Sequence, residues 1–485
     1  MTATKRVLAL LFAVLLVSPA AAISATPRQA ADTAVPPVSQ AAQSPAERQL
    51  RAWLSAFNAG DRARYEAFLR ETFPSRAARL DGDLDFLMRT GGFDIRRVES
   101  RTATSVTCLV EERAWNNLAR AVLNVESAAP HRITRLEVNL APRPADMAVG
   151  RLSETKLASA VRAKVDAQAA AGRFQGAILV ARNGKIVYSD ARGLADREKE
   201  TPNTLGTKFR MGSMNKMFTA TAVLQLVQSG KVTLNAPLGT YLTDYPNRDV
   251  ATKVTIHHLL THTGGTGDIF GPEFTAHRLE LKTLDDYVKL YGARGLEFEP
   301  GTRWKYSNYG FLLLGVIVER ASGLSYYDYV RDRIFKPAGM TGSGSEPEDA
   351  AVPGRAKGYM RQKGAWVLNT DTLPYRGTSA GGGYTTVGDL LRFASALTGH
   401  VLLDEKHTAL LTSGKADTGG GDKYAYGFGE SLEGGARSFG HSGGAPGMNG
   451  DLRIFPDSGY VVAALANTGF GASQVVSWVS ERLPK

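Results

Sequence analysis

The chain has 485 residues, of which 43% are hydrophobic and 22% charged, so it is long enough for two or three domains with ordinary buried cores. Its formal net charge is +11, but the basic residues are scattered and accompany no nucleic-acid-binding motif. We therefore expect no nucleic-acid partner. Cys108 is the only cysteine, which excludes an internal disulfide and a cysteine-based zinc or iron–sulfur site within one chain.

The N-terminus has the pattern of a secretory signal peptide. Lys5 and Arg6 precede an apolar run, Val7 to Val17, and a small-residue cleavage site follows, ending at Ala22. The apolar run is too short to span a membrane, which takes about 20 residues. We expect residues 1–22 to be removed on export, which would place the protein in the periplasm or outside the cell, with no membrane span.

Residues 23–45 are rich in Ala, Pro, Gln, Ser and Thr, a composition typical of a flexible linker. The next stretch, 46–146, is predicted to be a small α+β domain. Apolar residues within 50–57 recur at i, i+3, i+4 and i+7, as in an amphipathic helix, and Asp61 can cap a second helix. Alternating apolar residues between 119 and 140 then predict strands.

Two helices that lead into a sheet, with the sequence from Trp53 to Asp61 at the end of the first, resemble the cone-shaped fold of nuclear-transport-factor-like and polyketide-cyclase-like domains. Some such folds are enzymes, but no His–Asp pair or other acid–base set stands out in residues 46–146. We therefore interpret these residues as an accessory or binding module.

Residues 150–485 are predicted to form one large α+β domain. A predominantly helical middle is flanked by strands near both ends, which predicts an antiparallel sheet closed by the two halves of the domain, with a helical insertion. The Asn183-Gly184 pair supplies the two positive-φ positions of a type I′ hairpin turn. The predicted elements are a helix over 152–171, a hairpin over 177–188, a helix over 213–229, strands at 452–455 and 461–466, and a helix over 472–482.

Two of three candidate nucleophilic serines, Ser379 and Ser442, lie in G-x-S-x-G sequences. In α/β-hydrolases that pattern forms a tight turn between a buried strand and a helix. A loop sequence precedes Ser379, and the Gly-Gly-Ala-Pro-Gly sequence after Ser442 cannot begin a helix. We interpret both matches as glycine-rich turns.

The third candidate, Ser213, begins the sequence Ser-Met-Asn-Lys and opens an apolar helix. Residues i and i+3 share a helix face, so its hydroxyl should lie beside the amine of Lys216. A lysine on an apolar helix is partly desolvated, and we expect its pKa to lie below the free value of about 10.4, towards that of a base. Ser-x-x-Lys occurs often by chance, however, and taken alone Ser213 is equally well read as a helix N-cap.

Two further segments support Ser213 as the nucleophile: Tyr306-Ser307-Asn308 and His441-Ser442-Gly443. Ser-x-x-Lys, Tyr-x-Asn and His-x-Gly in this order resemble the serine beta-lactamase and penicillin-binding-protein superfamily, and in particular its class C beta-lactamase-like, esterase and D-peptidase branch. The resemblance covers about residues 155–485. The flanking segments that also match are TIHHLLTHTGG at 255–265 and FLLLGVIVERASG at 311–323.

The resemblance implies a beta-lactamase/transpeptidase-like fold and a Ser-Lys-Tyr acyl-enzyme mechanism. It implies Ser213 as the nucleophile, Lys216 as its base, and Tyr306 as the relay of a proton to the leaving group, either as phenolate or as neutral donor. Asn308 would orient Lys216 and the substrate. The backbone N–H groups of Ser213 and Gly444, the residue after Gly443, would form the oxyanion hole.

His441 departs from the pattern, because many of these relatives have a lysine there that can anchor a substrate carboxylate. A histidine with a pKa near 6.5 is mostly neutral at pH 7, although it can still donate one hydrogen bond. We therefore expect an esterase or D-amino-acid peptidase acting on a small-molecule or peptide substrate. The alternatives are a weak beta-lactamase or D-Ala-D-Ala carboxypeptidase, and a non-catalytic peptidoglycan-fragment binding protein.

His258 and His262 have the spacing of an H-E-x-x-H zinc site, but position 259 is leucine and no third ligand is evident. We interpret them as a structural pair near the site, and expect neither a metal nor another cofactor. The sequence predicts no oligomeric state.

Overall fold

The structure, a computed structural model, describes residues 43–433 and 435–484. The predicted leader, 1–22, lies outside the described residues, as does the predicted linker up to residue 42. Within the described ranges, no helix is long and apolar enough to cross a membrane.

The first module consists of three α-helices followed by a four-stranded antiparallel sheet whose strands are adjacent in chain order. Asp61 caps the second helix as predicted, since its side chain accepts a hydrogen bond from the N–H of Arg64. The third helix escaped prediction because Gly82 and three aspartates in its first turns have low helix propensity. The elements are α1 Pro45–Asn58, α2 Arg62–Thr72, α3 Leu80–Thr90, β1 Phe93–Arg101, β2 Ser105–Glu112, β3 Leu118–Val125 and β4 Ile133–Leu140.

The second part of the chain begins with a helix and a hairpin and continues into a mainly helical region. Asn183 and Gly184, with φ of 48° and 75°, form the predicted hairpin turn between the strands Gly176–Arg182 and Lys185–Arg192. The elements up to residue 338 are α4 Glu154–Ala170, β5 Gly176–Arg182, β6 Lys185–Arg192, β7 Leu194–Asp196, β8 Thr201–Pro202, β9 Phe209–Arg210, α5 Asn215–Gln228, α6 Arg248–Lys253, α7 Ile256–Leu260, α8 Pro272–His277, α9 Leu284–Tyr291, α10 Asn308–Ser322, α11 Tyr326–Val330 and α12 Lys336–Ala338.

The C-terminal part supplies most of the large sheet. The remaining elements are β10 Tyr359–Gln362, β11 Ala365–Leu368, β12 Tyr384–Thr385, α13 Val387–Thr398, α14 Glu405–Thr412, β13 Ala416–Asp417, β14 Lys423–Tyr424, β15 Gly429–Glu433, β16 Ala436–Ala445, β17 Met448–Phe455, β18 Tyr460–Ala466 and α15 Ala472–Ser480.

The large sheet is antiparallel and has eight strands, in the order β13-β14-β15-β16-β17-β18-β5-β6. Strand β18 pairs with β5 along its length, from Tyr460 opposite Arg182 to Ala466 opposite Gly176. The two ends of the predicted second domain therefore close one sheet, which confirms the predicted topology.

Helices α5 and α10 lie in the core beside this sheet. All residues of α10 from Asn308 to Val318 are buried, as are ten consecutive residues of α5, 215–224. Helices that are apolar all round are stable only inside a large core. Polar residues at their N-termini, Lys216 and Asn308, are consequently held in a rigid, water-poor setting.

The first module packs on the second so closely that the described residues form one unit. Trp115, in the loop between β2 and β3, is 1% exposed and lies in the same hydrophobic cluster as Val161 of α4 and Val475 of α15. Polar contacts secure this loop, because Lys164 donates to the carbonyl of Ala114 at 2.7 Å. The β2–β3 loop thus fills part of the core beneath α4 and α15.

Candidate active site

Ser213 lies in a single 3₁₀ turn, Gly212–Met214, that leads directly into α5. Its side chain makes no capping hydrogen bond to the helix, so the N-cap interpretation does not hold. Instead its Oγ lies 3.4 Å from Nζ of Lys216 in the first turn of α5. The structure therefore brings together the serine and lysine that the i, i+3 spacing predicted to be adjacent.

Lys216 is fully buried, and its Nζ donates to Oδ1 of Asn308 at 2.7 Å and to the carbonyl oxygen of Ala380. Burial lowers the pKa of this amine to about 7, and the negative charge of Asp268 only partly opposes the effect. Among residues 43–433 and 435–484, no carboxylate lies within ion-pair distance of Nζ. The direction of the predicted pKa shift is confirmed, and its physical cause is desolvation.

Asp268 is a site residue that sequence reasoning missed. It accepts hydrogen bonds from the side-chain amide and the backbone N–H of Asn308, each at 3.2 Å. Because the amide nitrogen of Asn308 points at Asp268, its Oδ1 must face Lys216. Asp268 follows the glycine-rich end of the predicted flanking segment, and no motif marks it in the sequence.

Tyr306 lies beside both members of the Ser-Lys pair. Nζ of Lys216 lies 4.7 Å from the centre of its ring, and the Ser213 side chain is near enough to lower the pKa of the phenol in part. Burial raises the pKa of Tyr306 well above its ordinary value. The phenol is therefore protonated at neutral pH.

The glycines of β16 allow that strand to pass very close to the nucleophile. A Cβ atom added at Gly443 would overlap the carbonyl of Met211 and lie 3.0 Å from the backbone nitrogen of Ser213. One added at Gly212, where φ is 54°, would lie 3.1 Å from the backbone nitrogen of Gly444. The N–H groups predicted for the oxyanion hole thus lie on two segments whose contact depends on glycine.

His441 lies on β16 with both ring nitrogens engaged. Its Nδ1 is 2.5 Å from the carbonyl oxygen of Ser442, and its Nε2 is 2.9 Å from the hydroxyl of Tyr424. Burial, reinforced by the charge of Lys216, lowers the pKa of the imidazole to about 4. The ordinary value near 6.5 therefore does not hold here, and the expected free N–H donor is already used by the protein.

The competing serines have different surroundings. Ser379 is fully buried in a turn closed by hydrogen bonds between Thr378 and Gly381, and its Oγ packs against Gly315 of α10, so no substrate can reach it. Ser442 is exposed, but it lies within strand β16, opposite Asp451 of β17. The prediction of a glycine-rich turn is confirmed for Ser379 and wrong for Ser442, because Gly443 and Gly444 continue the strand.

The histidine pair lies beside this site. His258 completes a capping box with Thr255 at the start of α7, since its Nδ1 accepts a hydrogen bond from the N–H of Thr255 at 3.3 Å. His262 is 1% exposed, accepts from the N–H of Ser307 at 3.1 Å, and has its ring 4.3 Å from that of Tyr306. Burial holds its pKa well below the usual range. These contacts support the structural interpretation of the pair.

Comparison with known proteins places this site in a family. Residues 161–481 match the beta-lactamase protein family. PbpX of Bacillus subtilis, which bears the name of a penicillin-binding protein, is 33% identical over 296 residues, covering 60% of this chain and 70% of its own. Esterase EstB of Burkholderia gladioli is 36% identical over 219 residues, 42% of this chain and 56% of its own.

Solved structures of proteins with similar folds also cover this part of the chain. A D-stereospecific amidohydrolase from Streptomyces has a TM-score of 0.55 and 26% identity, over 66% of this chain and 97% of its own. The family match begins after the first module, so the resemblance of residues 46–146 to nuclear-transport-factor-like folds stays a prediction.

Proposed function

The chain belongs to the beta-lactamase family, and we propose that this serine hydrolase is an exported enzyme that cleaves esters or amides through an acyl-enzyme, as an esterase or D-amino-acid peptidase. The observation that carries the proposal is a buried amine with a pKa of about 7, 3.4 Å from the hydroxyl of Ser213. A pKa lowered to this range makes the neutral amine available near pH 7, as a general base requires.

In the proposed acylation, neutral Lys216 takes the hydroxyl proton of Ser213 while Oγ attacks the carbonyl carbon of the substrate. The N–H groups of Ser213 and Gly444 stabilise the negative charge that develops on the carbonyl oxygen. Asn308, held by Asp268, positions the amine. Collapse of the intermediate breaks the bond to the leaving alcohol or amine and leaves the acyl group on Oγ.

Tyr306 is proposed to donate a proton to that leaving group. Its raised pKa favours the neutral donor over the phenolate, the two alternatives that the motif left open. The phenol then recovers a proton from the ammonium of Lys216, which restores the base. Water then attacks the acyl ester while Lys216 accepts its proton. The bond between the acyl carbon and Oγ breaks, that proton returns to Oγ of Ser213, and the carboxylic acid is released.

Substrates without a carboxylate next to the scissile bond suit this cleft best, because neutral His441 supplies no cation there. Relatives named as an esterase and a D-stereospecific amidohydrolase support this class. The relative named as a penicillin-binding protein favours a second candidate, a weak beta-lactamase or D-Ala-D-Ala carboxypeptidase.

Export is proposed on the predicted leader alone, and it would place the enzyme in the periplasm or outside the cell. The proposed domain organisation has an accessory module over 46–146 and a hydrolase domain over 150–485. The separate hydrophobic cluster within 46–138 supports that division.

The test uses protein that begins at Ile23, with a fluorophosphonate as active-site label. We expect one label, mapped by mass spectrometry to Ser213, and none in Ser213→Ala. Ser379→Ala and Ser442→Ala are matched controls that should keep the label. A label on Ser379 or Ser442 would contradict the assignment.

A substrate panel then separates the candidate functions. We expect short p-nitrophenyl esters and D-amino-acid amides to be hydrolysed with a higher kcat/KM than nitrocefin. A higher value for nitrocefin would favour the beta-lactamase alternative. Absence of both label and turnover would favour the binding-protein alternative.

A further inference from the structure

Tyr424 is a buried residue of β14 that no motif includes. It is 5% exposed, and its hydroxyl lies 2.9 Å from Nε2 of His441. Its ring packs 4.5 Å from the ring of His262. The tyrosine therefore stands at the wall of the proposed cleft, in direct contact with the residue expected to read substrate charge.

The hydrogen bonds define which nitrogen of His441 carries the proton. The carbonyl oxygen of Ser442 can only accept, so Nδ1, 2.5 Å away, must be the donor. In a neutral imidazole Nε2 then has only a lone pair, which accepts the hydroxyl proton of Tyr424. Neither nitrogen is left with an N–H for a substrate.

We propose that Tyr424 is a specificity-determining positioning residue that, with the carbonyl of Ser442, keeps both nitrogens of His441 bonded to protein and so withholds them from a substrate carboxylate. The proposal rests on the proposed hydrolase function. Weak recognition of a carboxylate then has a second cause besides the absence of a lysine at position 441. Tyr424 is that cause, and it can be substituted without changing His441.

Three other groups face His441. Lys216, from α5, and His262, after α7, both interact with the imidazole electrostatically. The Tyr306 ring, before α10, lies 6.4 Å away. The charge of Lys216 disfavours a second positive charge on His441, whereas His262 and Tyr306 are neutral. Loss of the Tyr424 hydroxyl removes the bond that the neutral imidazole accepts, so Nε2 becomes free to take a proton and donate.

The chain offers a matched control two residues away. Tyr426 is also buried, and its hydroxyl lies 2.8 Å from Nδ1 of His257, outside the site. Tyr426→Phe thus removes a similar Tyr–His hydrogen bond from the same segment without touching the proposed machinery.

The measurement is the ratio of kcat/KM for nitrocefin to that for a neutral p-nitrophenyl ester, from pH 5 to 8. We expect Tyr424→Phe to raise this ratio about tenfold at pH 5 and less at pH 8, since a charge-assisted hydrogen bond to a carboxylate becomes available. Wild type and Tyr426→Phe should give the same low, flat ratio. An unchanged ratio in folded Tyr424→Phe would overturn the proposal.

A second readout does not depend on turnover. In protein labelled with ¹⁵N-histidine, His441, assigned by its loss in His441→Gln, should show a protonated Nδ1 and a hydrogen-bonded, unprotonated Nε2. Tyr424→Phe should shift the Nε2 signal, and Tyr426→Phe should not. If the wild-type protein does not hydrolyse esters, the proposed function fails, but the Nε2 signal still tests the hydrogen bond between Tyr424 and His441. An Nε2 signal that Tyr424→Phe leaves unchanged would show that this hydrogen bond is absent and would overturn the proposal.

Discussion

Two buried ionisable side chains, one in each part of the molecule, differ in whether an oppositely charged partner lies beside them. In the first module Asp83 accepts two hydrogen bonds from Arg76, at 2.7 and 2.8 Å, and a third from the hydroxyl of Tyr65, which in turn accepts from Trp53. In the cleft, Lys216 is buried with only neutral partners. One charge is fully paired and the other is not.

The pKa values follow from this difference. Burial lowers the pKa of Arg76, but the hydrogen bonds and the charge of Asp83 raise it by more than burial lowers it. The pKa of Arg76 is therefore above its usual value. Burial of Lys216 is opposed only by the more distant Asp268, and its pKa falls to about 7. A paired charge stabilises a fold, whereas an unpaired buried amine loses its proton and becomes a base. The pairing of the buried charge thus distinguishes the structural role of Asp83 from the catalytic role proposed for Lys216.

Lys216→Met tests the catalytic side of the comparison and should have the largest effect. Loss of the base should lower kcat/KM for a p-nitrophenyl ester by about 10³-fold. The free energy of unfolding should change little, because methionine removes the desolvation cost of the amine but leaves the buried acceptors of Asn308 and Ala380 without their donor. Chemical denaturation of the variant is the control, and a large loss of stability with activity retained would contradict the assignment.

Trp115→Ala tests the docking of the first module on the second. The side chain is fully buried between them, so its removal should lower the free energy of unfolding by about 3–5 kcal/mol. Leu140→Ala, at a position 77% exposed on the same module, should change it by less than about 0.5 kcal/mol. If Trp115→Ala lowered the free energy of unfolding as little as Leu140→Ala does, the β2–β3 loop would contribute no packing between the modules.

Asp83→Asn tests the structural side. Breaking one partner of a buried ion pair leaves the Arg76 guanidinium uncompensated, and the free energy of unfolding should fall by about 3 kcal/mol. Ester hydrolysis by the folded variant should stay within about twofold of wild type, since Asp83 lies in the first module. A selective loss of kcat with stability intact would give the accessory module a catalytic role.

His441→Lys should have the smallest effect. An ammonium in this place offers a carboxylate a charge-assisted hydrogen bond that wild-type His441, with both nitrogens bonded to protein, does not offer. Such a bond contributes about 1.5–3 kcal/mol, or about 10- to 150-fold in the nitrocefin-to-ester ratio. In wild type the ratio should rise only as the pH approaches the lowered pKa of about 4. A ratio that is the same in both proteins would mean that this position does not read substrate charge.

What the sequence predicted well depends on local patterns. The Ser-Lys pair lies one helical turn apart, and the hairpin at Asn183-Gly184 is set by two adjacent residues, so both are readable from spacing. The closing of the sheet by β5 and β18 followed from strands at both ends of the domain.

What it predicted badly depends on contacts between distant segments. Asp268 reaches Asn308 across 40 positions and Tyr424 reaches His441 across 17, and neither pair has a local signature. The lowered pKa of His441 likewise results from burial and from Lys216, a distant residue. Ser442 was misread because glycines that usually mark turns here allow a strand to pass the nucleophile.

The central claim is that Lys216 loses its proton near neutral pH and activates Ser213. The rate constant for fluorophosphonate labelling of Ser213, measured from pH 5 to 9, tests it directly. The account predicts a rate that rises about tenfold per pH unit below pH 7 and levels off above it, because the deprotonated amine is the reactive form. A rate that is flat across this range, or that keeps rising tenfold per pH unit up to pH 9 without levelling off, as expected for an ordinary lysine, would contradict it.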